Sequence, residues 1–248
     1  IDIINKKKLP LHVAVIMDGN GRWAQQKGNE RIFGHQNGIL AVRETVEAAA
    51  ELGVEYLTLY AFSTENWNRP REEIEALMGL LVQTINNEME TLNKNNVRLR
   101  MIGDQGSLPE KVREELNYGV KSTEKNTGTN LILAISYSGR WEILEAMRKM
   151  AQEIVEKDIK PEELGCETFV RYLQTAEIPD PELLIRTSGE YRISNFLLWQ
   201  VAYTELYFTD VLWPDFRKKD FFDAIVDFQK RERRFGKISD QIKSETVN

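Results

Sequence analysis

Asp18-Gly19-Asn20-Gly21-Arg22 packs a carboxylate, two glycines and a guanidinium into one short run. Glycine tolerates φ > 0 and lets bare backbone N–H groups approach a ligand closely. The guanidinium adds a planar fork of donors matched to phosphate oxygens. A carboxylate repels phosphate unless a cation stands between them, and Mg²⁺ is commonly held by one or two carboxylates plus substrate phosphates. The chemistry open to this run is metal-assisted binding of a phosphate. The alternative is an ordinary strand-to-helix turn with Asp18 as the helix cap.

Positioning such a run requires a rigid element before it, and residues 13–17 are a continuous apolar stretch of strand length. The same arrangement recurs along the chain. Residues 54–62 read as a second strand, ending in Ser63-Thr64-Glu65-Asn66-Trp67-Asn68-Arg69-Pro70. Residues 97–102 read as a third strand, and 131–137 as a fourth ending in Ser138-Gly139-Arg140-Trp141. Residues 183–185 form another, opening into a segment from Arg186 to Asn195 that includes Arg192, Ile193 and Ser194. Helices are expected over residues 35–52, closed by Gly53, and over 71–93, 109–124, 142–157, 162–174 and 218–235. Residues 23–34 read as a long polar connection containing Arg31.

Strands alternating with helices imply an α/β fold, a central mainly parallel sheet flanked by helices, in a single domain over residues 1–248. In such sheets ligands bind beyond the carboxyl ends of the strands. Arg22, Arg31, Arg69, Arg186 and Arg192 are thereby expected to face one cavity, and their number suits one or two diphosphates better than a monophosphate. On the helix over 71–93, Ile74, Leu77, Met78, Leu81, Ile85, Met89 and Leu92 share a face at helical spacing. That stripe is either ordinary core or the wall of an elongated hydrophobic tunnel.

Composition narrows the classes. With 42% hydrophobic and 29% charged residues the chain reads as globular, and a net charge of −6 argues against a general nucleic-acid binder. No apolar run has membrane-spanning length, so any membrane contact is expected to be peripheral. A lone cysteine, Cys166, reads as structural in a reducing cytoplasm. Lys6-Lys7-Lys8 reads as part of a mobile basic lead-in over residues 1–10.

Residues 12–23, 62–70 and 185–216, the last containing Arg-Ile-Ser-Asn-Phe-Leu-Leu-Trp-Gln and Asp-Val-Leu-Trp-Pro-Asp-Phe, together resemble the cis-prenyltransferases, the family of the undecaprenyl diphosphate synthases. The likeness runs over nearly the whole chain. It implies a Mg²⁺-dependent homodimer that condenses isopentenyl diphosphate onto farnesyl diphosphate in successive cis additions, giving a polyprenyl diphosphate of undecaprenyl or another length for use as a cell-wall lipid carrier. A non-catalytic partner subunit of such an enzyme is the other reading within the family.

On the matched motifs, Asp18 holds Mg²⁺ and assists departure of the allylic diphosphate, which Gly19, Asn20, Gly21, Arg22, Arg31 and His35 bind. Arg186, Arg192 and Ser194 hold isopentenyl diphosphate beside Ile193, and Glu205 contributes to the metal site. Asn66 is implicated in proton removal, although a neutral amide is a poor base and a diphosphate oxygen is the alternative. Ser63, Thr64, Glu65, Trp67 and Arg69 line the same pocket, with Trp23 against the substrate. The departures are local: Ser136-Tyr137-Ser138-Gly139-Arg140 stands where Asn-Tyr-Gly-Gly-Arg is more usual, and Ser188 replaces a frequent glycine. Burying hydrocarbon stabilises by roughly 0.8 kcal/mol per CH₂. A long product is therefore expected to leave slowly, with release aided by membrane or detergent setting turnover.

Gly19-Asn20-Gly21-Arg22-Trp23-Ala24 also fits the G-x-G-x-x-A fingerprint of nicotinamide-dependent oxidoreductases. Three features weigh against it: Asp18 faces the pyrophosphate, the connection to the helix reads as too long, and the second strand ends in Phe62-Ser63 rather than a ribose-binding acid. Neither a P-loop nor an Asp-Asp-x-x-Asp motif occurs.

Overall fold

The computed structural model describes residues 3–157 and 160–234. Its first strand, β1 (His12–Ile16), is buried along its whole length. Strand β2 (Tyr56–Ser63) flanks it on one side and β5 (Leu183–Arg186) on the other. Beyond β2 lie β4 (Asn130–Tyr137) and then β3 (Arg98–Ile102), and beyond β5 lies β6 (Glu205–Phe208). All five pairings are parallel. Side chains alternate between the two faces with period two. Val13, Val15, Leu57, Leu59 and Leu133 join one buried cluster. Ala14, Ile16, Ile132, Ala134 and Leu184 join the other.

Helices cover both faces. They are α1 (Asn20–Gln26), α2 (Arg31–Leu52), α3 (Arg71–Lys94), α4 (Glu110–Ser122), α5 (Gly139–Lys157), α6 (Cys166–Val170) and α7 (Lys218–Lys230). Residues of α2, α3, α4 and α7 pack on the first cluster, whereas Trp141 of α5, Phe196 and Leu197 pack on the second. Gly53 closes α2 at φ 87°, a left-handed cap suited to glycine.

Several expected boundaries change. The polar connection over residues 23–34 is largely helical: α1 begins at Asn20, directly after Gly19, and α2 begins at Arg31 rather than at residue 35. The length of that connection therefore gives no argument against a dinucleotide fold. Among the described residues of the basic lead-in, 3–10, the backbone is docked rather than free. Ile4 is buried, and Gln229 of α7 donates to the carbonyls of Asn5 and Lys8. Cys166 is exposed, not packed inside. The helix expected over 162–174 shrinks to α6 and a single 3-10 turn, Pro161–Glu163. Helix α7 ends at Lys230, and residue 235, its expected end, lies outside the described residues. A sixth strand, β6, occupies part of the aromatic run after residue 196, where Phe196, Trp213 and Phe216 are buried but Tyr203 is 69% exposed.

Candidate active site

Parallel pairing puts the ends of β1, β2, β4 and β5 on one edge, and Ile16 lies in register with Arg186. The chain after β1 is stitched to the chain after β5. The Asp18 N–H donates to Thr187 Oγ1 at 2.9 Å, and that hydroxyl donates back to the Asp18 carbonyl at 2.6 Å. The same carbonyl accepts the Trp213 N–H. Asp18 is not a helix cap, since Gly19 occupies the N-cap position at φ 110° without a side-chain cap. Its Oδ1 instead accepts from the Gly19 N–H at 2.7 Å, and its Oδ2 accepts from Arg186 Nη2 at 2.8 Å.

Burial acts to raise the Asp18 pKa, but the hydrogen bond and charge of Arg186, with the Gly19 N–H and the Ser188 hydroxyl, more than reverse it. The carboxyl is held below its usual range and is ionised at neutral pH. Arg186 is 3% exposed. Its Nη1 reaches the Ser194 hydroxyl at 2.7 Å and the Arg192 carbonyl, while its Nε is buried without a partner. An unsatisfied buried donor beside an ionised carboxylate marks a place where an anion completes the network.

The five arginines divide into two groups. Arg22 lies 3.3 Å from Glu190 and donates to the Ser188 carbonyl at 2.9 Å. Arg192 pairs with the same Glu190, which joins both to the Asp18–Arg186 centre. Arg31 and Arg69 share Glu73, at 3.3 and 3.1 Å. His35 is pushed down to about 4, by burial first and then by the Arg69 charge, so it is a neutral imidazole beside these cations. Neither Glu73 nor Glu190 is among the residues singled out from the sequence. Glu73 was within reach as an i,i+4 partner of Arg69.

Helices α2 and α3 and the sheet enclose a cavity of about 680 Å³ whose rim carries Asp18, Asn20, His35, Asn66, Arg69 and Arg186. Ser63, Glu65 and Ser194 also line it. Its depth is apolar, with Leu77, Met78, Leu81, Ile85 and Leu92 of the α3 stripe facing Leu59 and Leu133. Ile74 and Met89, from the same stripe, pack on the core instead. The stripe is thus both core and cavity wall. Arg22, Arg31 and Arg192 stand outside this lining, tethered through Glu190 and Glu73.

The remaining candidates sort by contact. Ser63 and Asn66 cap each other, the Asn66 Oδ1 accepting the Ser63 N–H at 3.1 Å, and both residues line the cavity. Thr64 bonds to Ser138 at 2.8 Å, and Glu65 accepts from Asn195 at 2.7 Å, a contact that draws the β2 and β5 loops together. Gly21 is packed against the Arg31 guanidinium, and Asn20, at the rim, has a buried, unpartnered Oδ1 turned toward Gly38. Trp23 stacks on Phe33 at 5.7 Å and fixes α1 on α2. Ile193 packs on the second core cluster. Trp67 does not line the pocket with Ser63 and Arg69, because its ring meets Phe62 edge-on and its N–H donates to Ser136 at 2.9 Å. Glu205 is not brought to Asp18. It opens β6 in register with Leu183, at the other end of the strands, and pairs with Arg231 at 3.0 Å.

Among the described residues no three His, Cys, Asp or Glu side chains group as a metal cage. The donor set nevertheless fits Mg²⁺, since one ionised carboxylate open to a phosphate pocket is what a substrate-completed site requires. Among the described residues no helix is long and apolar enough to cross a membrane.

Several known proteins are similar to this chain in sequence and in fold. A family model described as putative undecaprenyl diphosphate synthase matches residues 16–236. An isoprenyl transferase of Porphyromonas gingivalis is 55% identical over 94% of this chain and 92% of its own length. A ditrans,polycis-undecaprenyl-diphosphate synthase of Pasteurella multocida, specific by name for (2E,6E)-farnesyl diphosphate, is 51% identical over 94% of this chain and 97% of its own. The crystal structure of lavandulyl diphosphate synthase from Lavandula x intermedia, in complex with dimethylallyl diphosphate, superposes with a TM-score of 0.89 at 36% identity, covering 92% of this chain and 99% of that one. A probable undecaprenyl diphosphate synthase from Campylobacter jejuni gives 0.76 at 37% identity, with the same coverage.

Proposed function

The chain belongs to the undecaprenyl diphosphate synthase family of prenyltransferases, and on that footing we propose that it adds isopentenyl diphosphate units in cis to farnesyl diphosphate. The product is a long-chain polyprenyl diphosphate, of undecaprenyl length, that serves as a lipid-carrier precursor for cell-wall polysaccharide. The observation that carries the reading is the ionised Asp18, tied to buried Arg186 at the rim of a deep apolar cavity. A diphosphate head and a hydrocarbon tail are the two halves of a ligand that such a site fits.

Asp18 would hold Mg²⁺, which supplies Lewis-acid stabilisation of the departing diphosphate. Asn20, Arg69, neutral His35 and the Gly19–Gly21 backbone hold the allylic diphosphate, with Arg22 and Arg31 at its edge. Arg186, Arg192 and Ser194 hold the isopentenyl diphosphate. Charge builds on the leaving oxygens as the allylic C–O bond breaks, and preset donors stabilise that state more than the ground state. Each charge-assisted hydrogen bond contributes about 1.5–3 kcal/mol. Asn66, its oxygen already engaged by Ser63, serves as a donor that orients a diphosphate oxygen, and that oxygen takes the proton. The apolar depth excludes water from the allylic cation and accepts the tail.

A homodimer through the β6 edge suits the exposure of Tyr203 and Leu206, and release occurs at the membrane surface from a peripherally bound enzyme. The deciding experiment incubates the purified chain with farnesyl diphosphate, labelled isopentenyl diphosphate and Mg²⁺, then measures product length. Elongation by several units is expected; no condensation at all would leave the accessory-subunit reading standing instead.

A further inference from the structure

The cavity has a second boundary with solvent besides its rim. On the outer side of the seam between α2 and α3 lies a groove of about 270 Å³. Ile39, Arg43, Leu80, Thr84 and Glu88 line both the groove and the interior cavity, so they are the partition between them. An ion pair spans that partition. Arg43 Nε lies 3.2 Å from each oxygen of Glu88, and Nη2 makes a further bond to one of them. The Arg43 side chain is 47% exposed and that of Glu88 15%. The pair is thus open to water on the Arg43 side and sheltered on the Glu88 side, and its two-pronged geometry holds the partition closed until Arg43 swings outward.

Size makes the partition matter. An apolar cavity of about 150 Å³ holds one benzene, or roughly 25 Å³ per carbon. On that scale about 680 Å³, its polar rim included, accommodates at most roughly 27 carbons, about five isoprene units. Farnesyl already occupies three of them. New units enter at the diphosphate end, so the far end of a longer chain is pushed away from the rim. Arg43 stands two turns along α2 from His35, about 12 Å deeper.

We propose that the Arg43–Glu88 ion pair is the latch of a side portal between α2 and α3, through which the tail of a product longer than the cavity leaves the interior. The pair then governs both how far elongation proceeds and how fast product is released. This rests on the polyprenyl-synthase reading of the site.

The test separates the two. In a Cys166→Ser background, Arg43→Cys/Glu88→Cys is joined by a short bismaleimide, and the same protein without cross-linker serves as the folding control. Product length is read by mass spectrometry, and the first condensation by single turnover. The cross-linked enzyme is expected to keep its first condensation within about twofold and to stop near five isoprene units. The uncross-linked protein is expected to make full-length product and to release it at least threefold faster than wild type in detergent-free buffer. As a second variant, Glu88→Gln is expected to release fast, and the exchanged pair Arg43→Glu/Glu88→Arg to return to the wild-type rate. Wild-type length and release from the cross-linked enzyme, or an exchanged pair as fast as Glu88→Gln, overturns the latch while leaving the synthase reading intact. Absence of the first condensation in wild type overturns that reading, and the portal with it.

Discussion

Asp18 Oδ2 lies 2.8 Å from Nη2 of Arg186, a residue 168 positions away in sequence. The carboxylate keeps its charge because the guanidinium is there, and the guanidinium is tolerated in the interior because the carboxylate is there. Asp18→Asn preserves shape and removes the charge. A fall in kcat of about 10²–10³ is expected, the usual cost of losing one preorganised charge-stabilising group. Initial-rate measurements check this, with circular dichroism to verify the fold.

Ser188 sits at φ 79°, a conformation that favours glycine, while its hydroxyl accepts from Arg22 Nη2 at 2.5 Å. Ser188→Gly should therefore stabilise the fold while weakening substrate binding. Relief of the backbone raises stability by about 1 kcal/mol. Loss of the hydroxyl frees Arg22 and raises KM for diphosphate substrate severalfold. Thermal melting and steady-state kinetics on one variant decide it, and a drop in stability would count against the strain.

Two glycines near the turn should respond differently to alanine. A Cβ at Gly34 would lie 1.9 Å from the Asn20 carbonyl oxygen, which is backbone and cannot yield. Gly34→Ala is expected to cost about 3 kcal/mol or more in chemical denaturation. A Cβ at Gly21 meets the Arg31 guanidinium at 2.8 Å, the far end of a flexible side chain. Gly21→Ala should keep most of its stability and instead weaken allylic diphosphate binding.

His12 is 1% exposed, with Nδ1–H donating to the Pro179 carbonyl and Nε2 accepting from the Thr58 hydroxyl. Burial is the main reason its pKa falls from 6.5 to about 4, with the Pro179 hydrogen bond opposing the fall. The unfolded chain therefore binds this proton first as pH drops. The stability contribution is complete above about pH 6.5 and is lost as pH falls toward 4, by about 3 kcal/mol in all. His35 acts in the same direction. Denaturation midpoints across that window should fall steeply for wild type and less steeply for His12→Gln.

With no three-ligand cage among the described residues, the metal should have no structural part. Chelation with EDTA is expected to abolish condensation while leaving the melting temperature unchanged, and Mg²⁺ to restore activity. A large fall in melting temperature on chelation would point to a structural cation instead.

Much of this was legible from residue order. Buried strands read as apolar runs, and the polar clusters that follow them mark the edge where Asp18, Ser63, Arg69, Arg186 and Ser194 meet. The helix α1 escaped detection because Asn20-Gly21-Arg22 carries turn chemistry and its helix is pinned by tertiary packing of Trp23 on Phe33. The edge strand β6 was hidden in an aromatic run with no clear alternation. Sequence proximity to Ser63 and Arg69 points Trp67 into the pocket, yet a 3-10 turn over Thr64–Asn68 swings its ring onto Phe62. Glu205 rests on a motif alone, and only strand register shows that it starts β6 at the end of the sheet opposite to Asp18, which follows the last residue of β1. The acids that tether the outer arginines, Glu73 and Glu190, depend on distances that a linear pattern does not contain.

The central position of β1 has a consequence for synthesis on the ribosome. Its neighbour β5 emerges only after more than 160 further residues. At about 5–20 residues per second, one flank of an apolar strand stays without its partner for roughly 10–30 s. A nascent chain thus carries an open, sticky edge until β5 has been made, and the Asp18–Arg186 pair forms only then. Chaperone dependence should therefore concentrate in the interval between the emergence of β1 and that of β5, and ligand-assisted maturation after it.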